Sequence, residues 1–186
     1  MVANTDRSKF PLAGIARDGW STEDEATATC FCGAVQLSFP TSAPGLVHTF
    51  VCNCTDCRKI TASMFASNFT VRDEYLKHLR GKENLKTYAQ STTIAAQTQM
   101  TNYFCSTCGT LMYRVGARFP NMSILRIGTV DDFSLHETKL RPRVEQFVES
   151  RVNWLGGVLE DVDGAHGLGK GRVRRVVGMG DKSSKI

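Results

Sequence analysis

The chain has 186 residues, of which 41% are hydrophobic and 22% charged, and its formal net charge is +5. This length suffices for one domain with a hydrophobic core and excludes two ordinary domains. Residues 1–20 lack the basic start and unbroken apolar run of a signal peptide, and no later stretch has the length of a membrane span, so we expect a soluble cytoplasmic protein.

The predicted elements begin, in chain order, after a weakly patterned polar N-terminal extension at residues 1–26. Residues 27–156 form one predicted domain, in which short apolar runs are separated by turn residues. This pattern is typical of half-buried antiparallel strands. The candidate strands lie at 35–39, 46–51, 64–71, 85–89, 98–104, 110–115, 122–129 and 144–150. Residues 73–80 could add one or two helical turns, and the predicted fold class is mainly β.

The C-terminal segment has a different composition. From residue 157 it is rich in glycine, and ordering glycine costs much conformational entropy. Residues 170–186 carry six basic residues and one acidic residue, which accounts for the whole net charge. We therefore expect residues 157–186 to form a flexible basic tail, and we expect no nucleic-acid partner for the electrically balanced domain.

The seven cysteines are grouped in three short motifs. A secreted disulfide framework would usually contain an even number, and this chain shows no export signal, so reduced thiols that bind metal fit better. The motifs are Cys30-x-Cys32, Cys52-x-Cys54-x-x-Cys57 and Cys105-x-x-Cys108.

The first and last motifs each supply half of a tetrahedral metal site. Cys30 and Cys32, if they lie on a strand, point to the same face. Cys105 and Cys108, followed by Gly109, have the spacing of a zinc knuckle. Together these two pairs would make a closed site with four thiolates, which is typically structural because it leaves no position for substrate.

The middle motif offers three thiolates within six residues. A tetrahedral ion held by Cys52, Cys54 and Cys57 keeps a fourth position for water or substrate, as in catalytic zinc sites. Spacing alone does not establish which pair joins which. The alternative interpretation is a second structural site, completed by His48 or Asp56.

The three motifs in this order resemble the glutathione-dependent formaldehyde-activating enzyme family. The resemblance includes Gly33 after the first pair, Arg58-Lys59 after the triple, Gly109-Thr110 after the knuckle, and a closing segment at 147–154 that looks like the family's last strand. The family is related to centromere protein V. The resemblance implies an Mss4-like, or β-tent, fold of antiparallel sheets organised around zinc.

The resemblance also implies a role for each cysteine group. The two pairs would hold a structural zinc ion and the triple a catalytic one, with glutathione as a possible co-substrate. The sequence departs from the family pattern at Asn53, where the family commonly has histidine, and at Thr61-Ala62, where it commonly has His-Gly. Both departures lie at the expected pocket wall, where they bear on the substrate, and they leave the seven cysteines unchanged.

The predicted function is that of a zinc-dependent carbon–sulfur lyase or synthase acting on a small glutathione-like thiol adduct. Zinc held by three thiolates is soft enough to accept a sulfur ligand and to stabilise it as thiolate. We expect Arg58 to take part in catalysis, and Arg58 and Lys59 could hold a substrate carboxylate. Asp56 is either a proton acceptor or a residue that hydrogen-bonds its own backbone.

Two other classes of function stay open. Zinc could polarise a carbonyl oxygen or activate water, as in a lyase or isomerase acting on another small carbonyl metabolite. A non-catalytic zinc module that binds a protein or nucleic acid is the other class. The aromatic residues of the strands could line a pocket, although such residues usually lie in the core; they are Phe65, Phe69, Tyr103, Phe104 and Tyr113. The sequence leaves the oligomeric state open, with a homodimer as one alternative.

Overall fold

The predicted β fold is confirmed. The computed structural model describes residues 6, 8–93, 97–155 and 174–176, the last of these by their backbone alone. The strands are β1 (Glu25–Thr29), β2 (Gln36–Pro40), β3 (Leu46–Cys52), β4 (Ala66–Arg72), β5 (Lys77–Arg80), β6 (Leu85–Gln90), β7 (Met100–Cys105), β8 (Leu111–Gly116), β9 (Met122–Arg126), β10 (Val144–Gln146) and β11 (Arg174–Val176). Two short α-helices, α1 (Thr55–Thr61) and α2 (Ser134–Glu137), interrupt them.

The strands form two sheets. The smaller sheet has three strands in the order β1-β2-β5, and the larger has eight in the order β11-β10-β3-β4-β9-β8-β7-β6. Neighbours in both sheets are antiparallel, except that β10 pairs in parallel with β3 and with β11. The antiparallel sheets and the two cysteine groups described below are consistent with the Mss4-like fold.

The main core lies between the two sheets. Leu37 and Phe39 of β2 are completely buried, and they pack with Phe69 and Val71 of β4. The rings of Phe39 and Phe69 lie 4.7 Å apart at an angle of 53°, a tilted contact that aromatic pairs favour. The alternating sequence pattern predicts that only one face of β2 is buried. All five residues of β2 are buried, so this strand is covered on both faces.

Some element bounds differ from the prediction. Of the one or two helical turns expected at residues 73–80, one forms, a 3-10 turn at Asp73–Tyr75, and β5 follows it and gains backbone hydrogen bonds with β2. The strands predicted at 122–129 and 144–150 end early and continue as 3-10 turns at Ile127–Thr129 and Val148–Ser150. Phe147 has a φ of 56°, a left-handed conformation that ends the extended chain.

One face of the larger sheet forms the floor of a cavity of about 640 Å³. The strand register aligns six of its lining side chains in one row across six strands. The row runs from His48 through Thr70, Ile124, Arg114 and Asn102 to Tyr88. Successive strand residues point to opposite faces. The chain neighbours Phe69, Tyr113 and Leu125 accordingly lie in the main core.

The segment before β1 lies against the domain. The backbone N–H of Ile15 donates to the carbonyl of Phe31 at 2.8 Å, and that of Phe133 donates to the carbonyl of Lys9 at 2.7 Å. The predicted flexible tail, residues 157–186, lies outside the described residues except for β11. No helix among the described residues is long and apolar enough to cross a membrane.

Candidate metal centres

The two cysteine pairs meet in one group of four. The sulfur atoms of Cys30, Cys32, Cys105 and Cys108 all lie within 4.8 Å of one another. The Cys30 and Cys32 sulfurs are 3.6 Å apart, and those of Cys32 and Cys105 are 3.7 Å apart. Four sulfurs placed about 2.3 Å from one tetrahedral zinc ion would be about 3.8 Å apart. The group therefore has the donor type and spacing of a closed zinc site.

Turns bring these four thiols together, since Cys30 and Cys32 follow the end of a strand and do not lie on one. β1 ends at Thr29, and the backbone N–H of Gly33 donates to the carbonyl of Cys30 in the turn that follows. Gly33 has a φ of 79° and Gly109 has a φ of 74°. Both conformations suit glycine, which has no Cβ to clash.

Hydrogen bonds and burial act on these thiols in opposite directions. Burial raises the pKa of Cys30 to about 12. At Cys108 burial also opposes ionisation, but hydrogen bonds from the hydroxyl and the backbone N–H of Thr110 prevail and lower the pKa to about 6. The group thus contains a thiol that ionises readily, which suits metal binding because metals take the thiolate form.

The second group consists of Cys52, Cys54 and Cys57, whose sulfurs also lie within 4.8 Å of one another. No histidine, aspartate or glutamate of the described residues joins this group at that distance. His48 and Asp56, the alternative fourth ligands, line the cavity without joining the group. Either cysteine group could hold a metal ion, and the second one offers three protein ligands.

Local structure explains how the triple converges. Cys52 is the last residue of β3, and Cys54 is the N-cap of α1, where its sulfur accepts a hydrogen bond from the backbone N–H of Cys57 at 3.4 Å. A helix begins with N–H groups that lack partners within the helix, and an N-cap side chain satisfies one of them. The cap therefore places Cys54 and Cys57 on the same side of the first helical turn.

The triple lies in apolar surroundings. Cys52 and Cys57 belong to a second buried cluster with Phe50 and Ile124, and Phe147 packs against it. Hydrogen bonds with Cys54 and Cys57, together with burial, raise the pKa of Cys52. The pKa of Cys57 is instead well below its usual range, because Cys52 and Cys54 donate to it and two arginines lie nearby. One sulfur of the triple thus holds negative charge more readily than the others.

The two arginines, Arg114 and Arg126, were not found by sequence reasoning. Arg114 donates through Nη1 to the sulfur of Cys57 at 3.2 Å, and Arg126 donates to Oδ1 of Asn68 on β4. Each lies on the face of the sheet opposite the main core, and its neighbours along the chain are apolar or aromatic. A charged residue within an apolar strand sequence indicates a functional position, but it does not indicate which partner the charge contacts.

A buried polar cluster lies next to the triple, around Asn53 and β10. Asn53 is completely buried, and its Nδ2 donates to Oε1 of Glu145 at 3.0 Å and to the carbonyl of Gln146 at 3.2 Å. Glu145 is completely buried as well and pairs with Arg151 at 3.4 Å. The residue between the first two cysteines is therefore a structural anchor that ties the loop to β10.

The cavity floor ends at the triple, with Cys52 and Cys54 in its lining. Its walls combine apolar and polar side chains from α1, the sheet and the segment after β10. Asp56 accepts hydrogen bonds across the cavity from Thr93 at 2.7 Å and from Gln90 at 3.4 Å. The bonds of Asp56 thus join α1 to the end of β6.

Arg58 and Lys59 have different surroundings. Lys59 lines the cavity, whereas Arg58 donates through Nη1 to the carbonyl of Ser150 at 3.1 Å. The predicted catalytic role of Arg58 stays a prediction. None of the five strand aromatics considered as pocket residues is in the cavity lining, which instead takes aromatic side chains from other positions. Those are Phe50, Tyr88, Phe119 and Phe147.

The chain is similar to a known enzyme family and to a solved structure. A family model for the glutathione-dependent formaldehyde-activating enzyme matches residues 25–150, which contain both cysteine groups. Among solved structures, a crystal structure of a Rhodobacter sphaeroides protein is similar to this chain at 26% sequence identity, covering 55% of this chain and 85% of that one with a TM-score of 0.41.

Proposed function

Because the chain belongs to the glutathione-dependent formaldehyde-activating enzyme family, we propose that it is a zinc enzyme that makes or breaks the carbon–sulfur bond between a glutathione-like thiol and a small carbonyl compound. Membership in this family indicates chemistry that involves glutathione. The reaction class, the metal and its two sites are our proposal.

The observation that carries the proposal is the unequal division of the seven thiols. Four converge in a group that offers a metal a complete tetrahedral set, and three converge at the inner end of a cavity. All seven are free cysteines. Sets made only of thiolates select soft or borderline metals, of which zinc is the common one at structural and catalytic sites.

The residues around the triple suit a sulfur nucleophile. Zinc bound by Cys52, Cys54 and Cys57 would accept a fourth sulfur and keep it as thiolate near neutral pH. Phe50 and Ile124 pack with Cys52 and Cys57 in a buried apolar cluster, so a sulfur anion beside them would be less hydrated than in bulk solvent.

The proposed step is an addition without redox change. A lone pair of the thiolate sulfur forms a bond to the carbonyl carbon, and the carbonyl π electrons move to oxygen. The resulting alkoxide takes up one proton, which balances the proton that the thiol released to solvent on becoming a thiolate, and gives a hydroxyl group on the carbon that bears sulfur. The reverse sequence releases the thiol and the carbonyl compound.

Two side chains near the triple have proposed supporting roles. Lys59 lines the cavity and is exposed, so it can meet a substrate carboxylate there. Arg58 connects α1 with the carbonyl of Ser150 and so acts as a positioning residue for the cavity wall.

Matched cysteine variants test the proposal. We expect the reduced wild-type protein to contain two zinc ions and to form an adduct from glutathione and an aldehyde. Cys54→Ser should remain folded with one zinc ion and lose turnover, whereas Cys108→Ser should unfold, because metal binding at a structural site contributes directly to folding. Zinc content, circular dichroism and an adduct assay measure these outcomes. One zinc ion in the wild-type protein, or full turnover by Cys54→Ser, would overturn the proposal.

A further inference from the structure

Two positively charged side chains lie beside the three-thiol group, one buried and one half-buried. Arg126 is only 6% exposed, and Arg114 contacts Cys57 directly. Nε of both arginines and Nη2 of Arg126 have no hydrogen-bond partner among the described residues. The four ion pairs found in that part of the chain all involve other residues. The groups that favour the charge of both arginines are instead the sulfurs of Cys57, Cys52 and Cys54.

Such an arrangement is costly unless negative charge is present. A buried charge without a partner loses its hydration, and the loss is offset only by an opposite charge and by hydrogen bonds. The pKa values agree with this: burial opposes the charge of Arg114, but the thiolates of Cys57, Cys52 and Cys54 raise its pKa. Burial, and then Arg114, lower the pKa of Arg126 to about 10.

A charge count shows what the centre lacks. Three thiolates and one divalent cation carry one net negative charge, and the two guanidinium groups carry two positive charges. Glu145 behind the triple is balanced by Arg151. α1 carries Asp56, Arg58 and Lys59, and Arg58 donates to the carbonyl of Ser150 and not to a thiol. Even without the net positive charge of α1, the thiolates, the cation and the two arginines leave one positive charge, which one more anion would offset.

We propose that Arg114 and Arg126 make the three-thiolate centre select an anionic fourth ligand, a thiolate, over a neutral ligand such as water or a carbonyl oxygen. This inference rests on the proposed function and names the form in which the substrate binds. Both arginines are positioning residues, since neither holds the metal: Arg114 donates to the ligand Cys57 and Arg126 donates to Asn68. Hydroxide is the other small anion that could fill the position, and sulfur is favoured because thiolate-bound metals are soft.

Ligand titrations of the cobalt(II)-loaded full-length protein test the inference without turnover. Only the three-thiolate centre can add a ligand, so spectral changes report that centre alone. The probes are cyanide as an anion, imidazole as a neutral ligand, and glutathione. Arg126→Gln removes the charge but keeps a donor for Asn68, Arg126→Lys keeps the charge, and Arg80→Gln is a control at the four-thiolate group.

We expect Arg126→Gln to weaken the binding of cyanide and glutathione by at least about tenfold. A unit charge within about 10 Å of a bound anion in a partly buried site contributes over about 1.4 kcal/mol, which corresponds to that factor. Imidazole binding should change less than about threefold. Arg126→Lys and Arg80→Gln should bind all three probes nearly as the wild-type protein does. Equal weakening of cyanide and imidazole, or no weakening of either, would overturn the inference.

The same titrations separate the inference from the proposed function. If glutathione leaves the wild-type cobalt spectrum unchanged while cyanide binding still depends on Arg126, thiol chemistry fails and anion selection stands. A spectral transition on raising the pH without thiol, reduced in Arg126→Gln, would identify hydroxide as the anion and also support the selection. Should Arg126→Gln not fold, Arg114→Gln is measured with the same probes and the same criteria.

Discussion

The buried side chain of Asn53, between Cys52 and Cys54, gives a prediction of how much stability one variant loses. Asn53→Leu removes a hydrogen bond to the carboxylate of Glu145 and another to the carbonyl of Gln146, both from a completely buried amide. Hydrogen bonds to charged groups contribute about 1.5–3 kcal/mol and those to neutral groups about 0.5–1.5 kcal/mol. We therefore expect the free energy of unfolding to fall by about 3 kcal/mol.

Equilibrium urea unfolding of the reduced, zinc-loaded protein measures this loss. Asn102→Leu is the matched control, since Asn102 is also buried and the Oδ1 atoms of both asparagines have no partner among the described residues. The two variants therefore differ in the Nδ2 bonds of Asn53, and we expect a change below about 1 kcal/mol at Asn102. The double variant Asn53→Leu/Glu145→Leu should lose less than the two single losses together, because both partners are removed. A loss at Asn53 no larger than that of the control would refute the reasoning.

Two further predictions concern stability. Thr70, on the cavity floor, is 3% exposed and its hydroxyl lacks a partner among the described residues, so Thr70→Val should raise the free energy of unfolding, or leave it unchanged. Thr49→Val, which removes a hydroxyl bonded to the carbonyl of Arg141 at 2.8 Å, should lower it by about 1 kcal/mol; the same sign in both variants would contradict this. Burial lowers the pKa of His136, so below about pH 6.5 the unfolded chain binds more protons than the native one and stability falls. His136→Asn should therefore lose less stability between pH 7 and pH 5 than the wild-type protein, and equal losses in urea titrations would argue against a buried neutral histidine.

The sequence predicted what depends on spacing and local pattern. Alternating apolar residues identified most strands, and cysteine spacing identified both the knuckle and the triple. The helix α1 was missed because its start depends on a thiol cap at Cys54 and not on an apolar repeat. Arg114 and Arg126 were missed because the bond of Arg114 to Cys57 and that of Arg126 to Asn68 require the pairing of β9 with β8 and with β4 and the position of α1, contacts that no local pattern encodes.

The role of Asn53 could not be read from the chain either. Its partner Glu145 lies 92 positions away and reaches it through the parallel pairing of β3 with β10. Parallel neighbours are joined through long connections, so their register is not visible in short motifs. The same limit applied to Asp56, whose observed bonds run to the end of β6 and not to its own backbone.

The row of side chains across the cavity floor has a consequence for how the specificity of this protein can diverge. Thr70, Ile124 and Arg114 each alternate along the chain with a core residue on the reverse side of the sheet. A substitution in the row therefore alters what the cavity admits without creating a void between the two sheets. Single exchanges in the row can therefore change which small molecules the cavity accepts, while the packing that keeps the chain folded stays intact.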